Sequence, residues 1–479
     1  MSRYSFDPKL DPRRDKNRRV AIGAASVSAA AIVGIGLIVV GCQTLSGNAS
    51  KTPTPTAKAN IAVTIFAPQQ PGQAPTLAPG ETPISPSNPS AGNSDATATP
   101  IPGPAVPMDP RGKVSVDIPD FSCPKPRPAP EAFGYGIQMN WPVGDIGRFN
   151  NIMADQLKVN WTKAQVRWKD FEEQKGQDVA YKWQLLDAFT ADANKKGLNI
   201  VFGILSTPNW ARSVQEREGP PDDYTEAARF MTKVLARYKG CVQAVEVWNE
   251  MNIDREWTVP SKQISAVEYI NFLKVVVPAI RAVDQNITVV MGALSPTGYE
   301  APGISMDDFN YMDAFVANGG TALVDCVGVH LNGYNMPPQY EWDEGYDDPT
   351  AKFRGPFKGG TPHHSWSFKS TMYGYYNRTK KPLCVTEFGW ASAENMGGEP
   401  VDGFEFAKDN TEKEQAQWIV EGFQMMKDSG FVKWGIVFNL DYSQKDGVPF
   451  NQDPNAPYSI TRPNGEPRPA FEAIANIQK

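Results

Sequence analysis

Three patterns of apolar and polar positions divide the chain. Residues 20–41 (VAIGAASVSAAAIVGIGLIVVG) form 22 positions without a charge, directly behind Arg13, Arg14, Lys16, Arg18 and Arg19. A run of that length spans a bilayer, and the basic flank predicts a cytoplasmic N-terminus. From residue 46 to about 130 apolar side chains become sparse, and 19 of the 42 prolines fall in these 85 positions. Such a segment lacks the apolar surface that offsets chain ordering, so it predicts an extended spacer without regular structure. From Ala132 onward, short apolar runs alternate with amphipathic segments of about ten to twenty residues. The apolar runs, at 133–139, 165–168, 199–205, 244–248, 288–294, 324–331, 383–388 and 435–440, predict eight strands. Helical periodicity covers 183–196, 224–239, 263–283 and 412–428, and 469–477 closes the chain. Eight βα units predict a (β/α)8 barrel, whose functional residues belong at the C-terminal ends of its strands. The division expected is 1–19 basic and cytoplasmic, 20–42 anchor or signal, 43–127 spacer and 128–479 barrel. A doubly wound open sheet is the other reading of the alternation, but no GxGxxG or GxxxxGK[ST] follows any strand.

Charge narrows the partners. The 479 residues sum to −6, and the first 19 carry four net positive charges, so the rest sums to −10. An acidic body disfavours nucleic acid, because phosphate binding needs a basic face. Three histidines and five scattered cysteines make no CxxC or HExxH, so neither a metal nor another cofactor is expected, and chemistry should rest on carboxylates. Cys42 ends a Val-Val-Gly-Cys stretch that resembles a bacterial lipobox, although the apolar run is longer than a typical signal core. Lipidation at Cys42 and an uncleaved signal anchor remain alternative expectations. Both place the barrel outside the cell, with the membrane touched through the N-terminus alone.

Two strand ends carry the candidate chemistry. The fourth strand ends in AVEVWNEMN, with Asn249 and Glu250 at its opening, and the seventh ends in LCVTEFGW, with Glu387 in the equivalent place. In a closed barrel these strands face each other across the mouth. A glycosidase needs that arrangement: one carboxyl protonates the departing oxygen while the other attacks, with a separation of ~5 to 5.5 Å selecting the retaining route. Burial beside a second carboxylate is expected to keep the acid protonated.

Asn-Glu at the end of strand four, TEFGW three units later and the eightfold alternation together resemble the clan A glycoside hydrolases, retaining enzymes on (β/α)8 barrels. The resemblance covers roughly residues 130–479, and the WNE, TEFGW and VRW contexts are most similar to families 39 and 5. It implies Glu250 as acid/base, Glu387 as nucleophile, Asn249 as a ligand of the sugar 2-hydroxyl, Arg167 beneath the nucleophile and His330 as the clan's strand-six histidine. Two positions depart from the pattern: Asn332 stands where many members have a tyrosine, with Tyr334 two residues on, and no tryptophan falls within 438–441.

Aromatic residues that follow strand ends are candidate saccharide platforms, foremost Trp210, Trp257 and Trp390, with Tyr334 beside them. The loop from Asn332 to about Trp366 is long and acidic, as binding loops tend to be. Adjacent His363 and His364 point different ways, so a metal shared with Asp347 and Asp348 is not expected. Cys326 and Cys384, early in neighbouring strands, are expected as free buried thiols, while Cys123 and Cys241 are candidates for a bridge near the lower rim. The resulting expectation is a retaining β-glycosidase acting on an oligo- or polysaccharide. A carbohydrate-binding barrel without turnover is the competing class.

Overall fold

The computed structural model describes residues 120–141, 145–344, 363–401, 404–444 and 452–479. The apolar run with Cys42, most of the spacer, and Asp347 and Asp348 lie outside these residues. Among the described residues no helix is long and apolar enough to cross a membrane.

Eight parallel strands close a barrel in chain order: β1 Gly134–Gln138, β2 Trp161–Arg167, β3 Asn199–Leu205, β4 Ala244–Val247, β5 Thr288–Leu294, β6 Cys326–Gly333, β7 Leu383–Trp390 and β8 Val432–Val437. Gly134 to Ile137 of β1 pair with Trp434 to Val437 of β8 and complete the circle. One helix follows each strand: α1 Ile146–Asn151, α2 Ala180–Lys195, α3 Tyr224–Arg237, α4 Ala266–Val283, α5 Asp308–Ala317, α6 Phe368–Thr379, α7 Glu412–Ser429 and α8 Pro469–Ala475. The helices bury their apolar faces against the outer side of the sheet, which is why the strands read as near-continuous apolar runs.

The lumen is layered. Its lowest layer is Trp161, Val201, Ala244, Val290, Cys326, Cys384, Trp434 and Ile436. The indoles of Trp161 and Trp434 stack at 4.3 Å. Any Cβ on Gly134 would stand 2.4 Å from the Trp161 indole, so β1 is glycine there to admit the ring. Side chains two apart share a face of a strand, so β2 sends Lys163, Gln165 and Arg167 up the lumen above Trp161. The sequence pattern placed this strand four residues late, because a lysine inside an apolar run reads as an interruption.

The cysteine expectation is corrected by the stagger of the barrel. Gly328 of β6 lies opposite Cys384 of β7, so Cys326 is diagonal to Cys384 on the same lumenal face, and the two form a disulfide at a Cα separation of 5.8 Å. Diagonal placement needs no distortion of the ladder. A second disulfide, Cys123–Cys241, spans 5.4 Å between Cα atoms. Beside it Lys125 N–H donates to Asn194 Oδ1 (2.7 Å) and Arg127 N–H to the Gly240 carbonyl (3.1 Å). Residues 120–127, which composition assigns to the spacer, are thus held on the lower rim by a covalent bond and polar contacts.

Candidate active site

Two backbone irregularities turn the glutamates into the mouth. Between β6 and β7 the register runs Val329 with Val385 and then His330 with Glu387, so Thr386 is an extra residue on β7. A bulge of this kind re-aims side chains. Thr386 consequently donates its hydroxyl to Glu246 Oε1 inside the lumen (2.7 Å), while Glu387 also faces inward, one layer higher. At the end of β4, Trp248 (φ 79°) and Glu250 (φ 46°) are left-handed, a conformation that costs a non-glycine residue on the order of 1–3 kcal/mol. Glu250 N–H is held by the Ala293 carbonyl of β5 at 2.7 Å.

The two carboxylates line one cleft, together with Gln165, Asn249, Arg255, Glu256 and Asn332. Lys163 Nζ (3.1 Å) and Gln165 Nε2 (3.2 Å) both donate to Glu387 Oε1. Lys163 is wholly buried and also pairs with Glu246 Oε2 at 2.8 Å. Burial alone would push its ammonium down, but Glu246 and Glu387 outweigh that and hold it above the ordinary lysine value. His330 stands between the two candidates, with Nδ1 3.0 Å from Glu250 Oε1 and Nε2 3.7 Å from Glu387 Oε1. Burial would lower this imidazole, yet the flanking carboxylates raise it. Asn249 is buried, and its Oδ1 finds no partner, as does Oδ1 of Asn332. Unpaired buried acceptors beside a cleft are positioned for groups that a ligand brings.

The expected proton arrangement is corrected. Burial would push Glu250 up, but Arg255, with Nη2 2.5 Å from Oε2, and His330 bring it down to about 2. The group held near neutrality is Glu256, which burial pushes up to about 7 with help from Glu250 and Glu218.

Other expected residues are distributed unevenly. Arg167 was expected beneath Glu387; its Nη2 pairs with Glu218 (2.8 Å), its Nε donates to Ser206 Oγ (3.1 Å), and the cation on Glu387 is Lys163. Tyr334 lines the cleft, joined by Phe404, Phe406, Phe438 and Tyr458. Trp257 is fully buried against Trp248, Tyr269 and Phe272. Trp390 is equally buried, stacked on Phe368, with its N–H donated to the Met336 carbonyl. Trp210 packs edge-on to Trp168 and donates to the Glu172 carbonyl (3.3 Å). These three indoles close gaps between the sheet and its helices and loops. Lys163, Arg255 and Glu256 escaped the sequence reading, although a lysine at lumenal period on β2 was a legible signal.

Asp307, His363 and His364 bring ligand atoms within 4.8 Å of one another. Ser365 N–H donates to His363 Nδ1 (3.2 Å), which leaves the proton on Nε2, directed at Asp307 Oδ2 (2.9 Å). His364 Nε2 lies 3.0 Å from Asp308 Oδ1. With a proton on His363 Nε2, the group reads as hydrogen-bonded pairs joining the loops after β5 and β6.

The fold is a parallel eight-stranded barrel of the kind found in clan A glycoside hydrolases. In fold the chain is similar to a family 39 glycoside hydrolase from the gut symbiont Bacteroides cellulosilyticus, at 16% identity and a TM-score of 0.51. The match covers 72% of this chain and 63% of that one, so this chain spans less than two thirds of its relative's length. It is also similar to xylanase B from Clostridium stercorarium (17% identity, TM-score 0.47, covering 73% of this chain and 100% of that one). At such identities the likeness is one of fold. No protein-family model matches the chain, and no curated protein does.

Proposed function

We propose that the chain is a retaining β-glycosidase that hydrolyses O-glycosidic bonds of oligo- or polysaccharides, with Glu387 as nucleophile and Glu250 as acid/base. The observation that carries this reading is that carboxylates from the ends of β4 and β7 open on one cleft and share His330, beside the unpartnered Asn249 Oδ1. Lys163 and Gln165 both occupy Oε1 of Glu387, so Oε2 is the oxygen left to attack the anomeric carbon. Glu250 protonates the leaving oxygen, then takes a proton from the water that resolves the glycosyl-enzyme. The aromatic side, Tyr334, Phe406 and Tyr458, offers ring faces to the C–H faces of pyranoses. The apolar run 20–41 and Cys42 support export, with the barrel held at the outer membrane surface by the chain's N-terminus or a lipid on it.

The test is a panel of aryl β-xyloside, glucoside, mannoside and galactoside, with the 2-deoxy-2-fluoro form of whichever is turned over. A mass gain of one glycosyl group on Glu387 is expected. Saccharide binding with no turnover across the panel would replace this reading with a carbohydrate-binding barrel. Full-length protein found soluble in the cytoplasm would refute the export reading.

A further inference from the structure

One guanidinium serves two carboxylates in the cleft. Arg255 Nη2 is 2.5 Å from Glu250 Oε2, and Arg255 Nε is 3.7 Å from Glu256 Oε1, with all three side chains largely buried and lining the same cleft. An acid that must protonate a leaving group cannot keep an arginine on its oxygen, because the guanidinium favours the ionised carboxylate. As the residues stand, the proton of this trio belongs to Glu256, pushed up to about 7 by burial, and not to Glu250, drawn down to about 2 by Arg255 and His330 against the effect of burial. Chemistry at Glu250 requires the reverse.

We propose that Arg255 passes from Glu250 to Glu256 when a leaving-group oxygen enters beside Glu250, which makes Glu256 a positioning residue for the acid step. The proposal rests on the glycosidase reading. Its proton balance closes within the trio: Glu256 gives up one proton, Glu250 gains one through water, and Arg255 exchanges one carboxylate for the other. The guanidinium already approaches Glu256, so a side-chain rotation completes the exchange. The groups facing Glu256 are Arg255, Glu250, Glu218 and Arg167. Glu218 pairs in turn with Arg167 and Lys169, and of the two cations that favour an ionised Glu256, Arg255 has the larger effect and Arg167 the smaller. Those facing Glu250 are Arg255, His330 and Glu256 itself. His330 stays on Oε1 throughout, so the oxygen that Arg255 leaves, Oε2, is the one that receives the proton.

Two measurements on the full chain separate this proposal from the reading beneath it. Glutamate carboxyl carbons labelled with 13C and titrated by NMR report the exchange without any substrate. The wild type should show one buried carboxyl titrating near 7, absent in Glu256→Gln. In Glu250→Gln, Arg255 loses the carboxylate it holds at 2.5 Å while Glu256 stays within its reach, and that titration should fall by about one pH unit or more, a tenfold change in proton affinity. A Glu256 titration that stays in place in Glu250→Gln overturns the proposal. The second measurement is kinetic. Glu256→Gln should lower turnover of an alkyl β-glycoside by about tenfold or more, leave dinitrophenyl glycosides within about twofold, and be partly rescued by Glu256→Asp, because only the poor leaving group needs the acid. Equal losses on both substrates overturn the proposal. No turnover of any glycoside by the wild type would instead overturn the glycosidase reading, while the titrations alone decide whether Arg255 links the two carboxylates.

Discussion

Lys163→Met tests whether the charge under Glu387 organises the barrel mouth. The substitution keeps the length of the side chain and removes an ammonium that is fully buried, 2.8 Å from Glu246 Oε2 and 3.1 Å from Glu387 Oε1. At an effective dielectric constant of about 20, each contact is worth roughly 5 kcal/mol of Coulomb attraction. Burying the three charges costs a comparable amount, so the intact group contributes little net stability, whereas removing one partner strands the others and costs about 3–5 kcal/mol. Unfolding in urea, followed by the fluorescence of the buried indoles, should show that loss in the midpoint with an unchanged slope. Adding Glu246→Gln to Lys163→Met removes one stranded charge and should return about 1–3 kcal/mol, a non-additivity expected of residues in contact. A single variant within about 1 kcal/mol of wild type, or a double variant as unstable as the two singles combined, would refute the argument.

Four further outcomes are expected. Breaking Cys123–Cys241 with serine at both positions opens a covalent loop spanning 118 residues and should lower unfolding free energy by about 5 kcal/mol, read by calorimetry under non-reducing conditions. Glu256, raised in the fold from 4.5 to about 7, contributes stability that is complete below about 4.5 and lost as pH rises through about 7. Wild type should therefore lose up to about 3 kcal/mol more than Glu256→Gln between pH 5 and 8 in melts run in parallel. Glu387→Gln should form no glycosyl-enzyme. Glu250→Ala should keep rapid glycosylation by activated aryl glycosides and, with azide, release a β-glycosyl azide, whereas an α-product in the assay by NMR would show the roles to be misassigned.

The barrel was legible because parallel strands buried on both faces write themselves as apolar runs, and eight of them with intervening amphipathic segments admit few topologies. Glu250 and Glu387 were legible for a related reason: each closes such a run, where a charge has no structural reason to be. Lys163 was hidden by the same logic, since a charge within a run shortens the apparent strand, and only knowing that Glu246 faces it across the lumen turns it from an interruption into a paired residue. The tryptophans failed differently. Proximity in sequence to a strand end does not say whether a ring turns into the mouth or back over the helices. Trp257 turns back, and the cleft's aromatic side comes instead from Phe404, Phe406 and Tyr458, which lie in loops with no periodicity to read. Arg255 and Glu256 lay within six residues of Glu250, but a mixed-charge loop looks like any solvated turn until its burial is known.

The loop after β4 also explains how a costly backbone persists. Left-handed conformations at Trp248 and Glu250 bend the chain twice within three residues, and nothing in those side chains favours the bend locally. The compensation lies nearby: the Trp248 indole is buried edge-on to Trp257 and Phe272, and its N–H donates to the Glu256 carbonyl at 2.9 Å. That hydrogen bond ties the start of the bend to the far end of the loop, so Glu250, Arg255 and Glu256 are carried on one closed segment beside the edge-to-face indoles of Trp248 and Trp257. The backbone of the trio is therefore braced, and the Arg255 guanidinium lies 2.5 Å from Glu250 Oε2 and 3.7 Å from Glu256 Oε1. The exchange of partners proposed for Arg255 needs acceptors that hold still, and the braced loop supplies them. On β7 no such bracing is needed, because the bulge at Thr386 is stabilised within the sheet by the hydroxyl bond to Glu246, and Glu387 is gripped from below by Lys163 and Gln165. The carboxylate proposed for covalent attack is thus held by neighbouring strands, and the one proposed for proton transfer by a loop tied to the Trp248 indole.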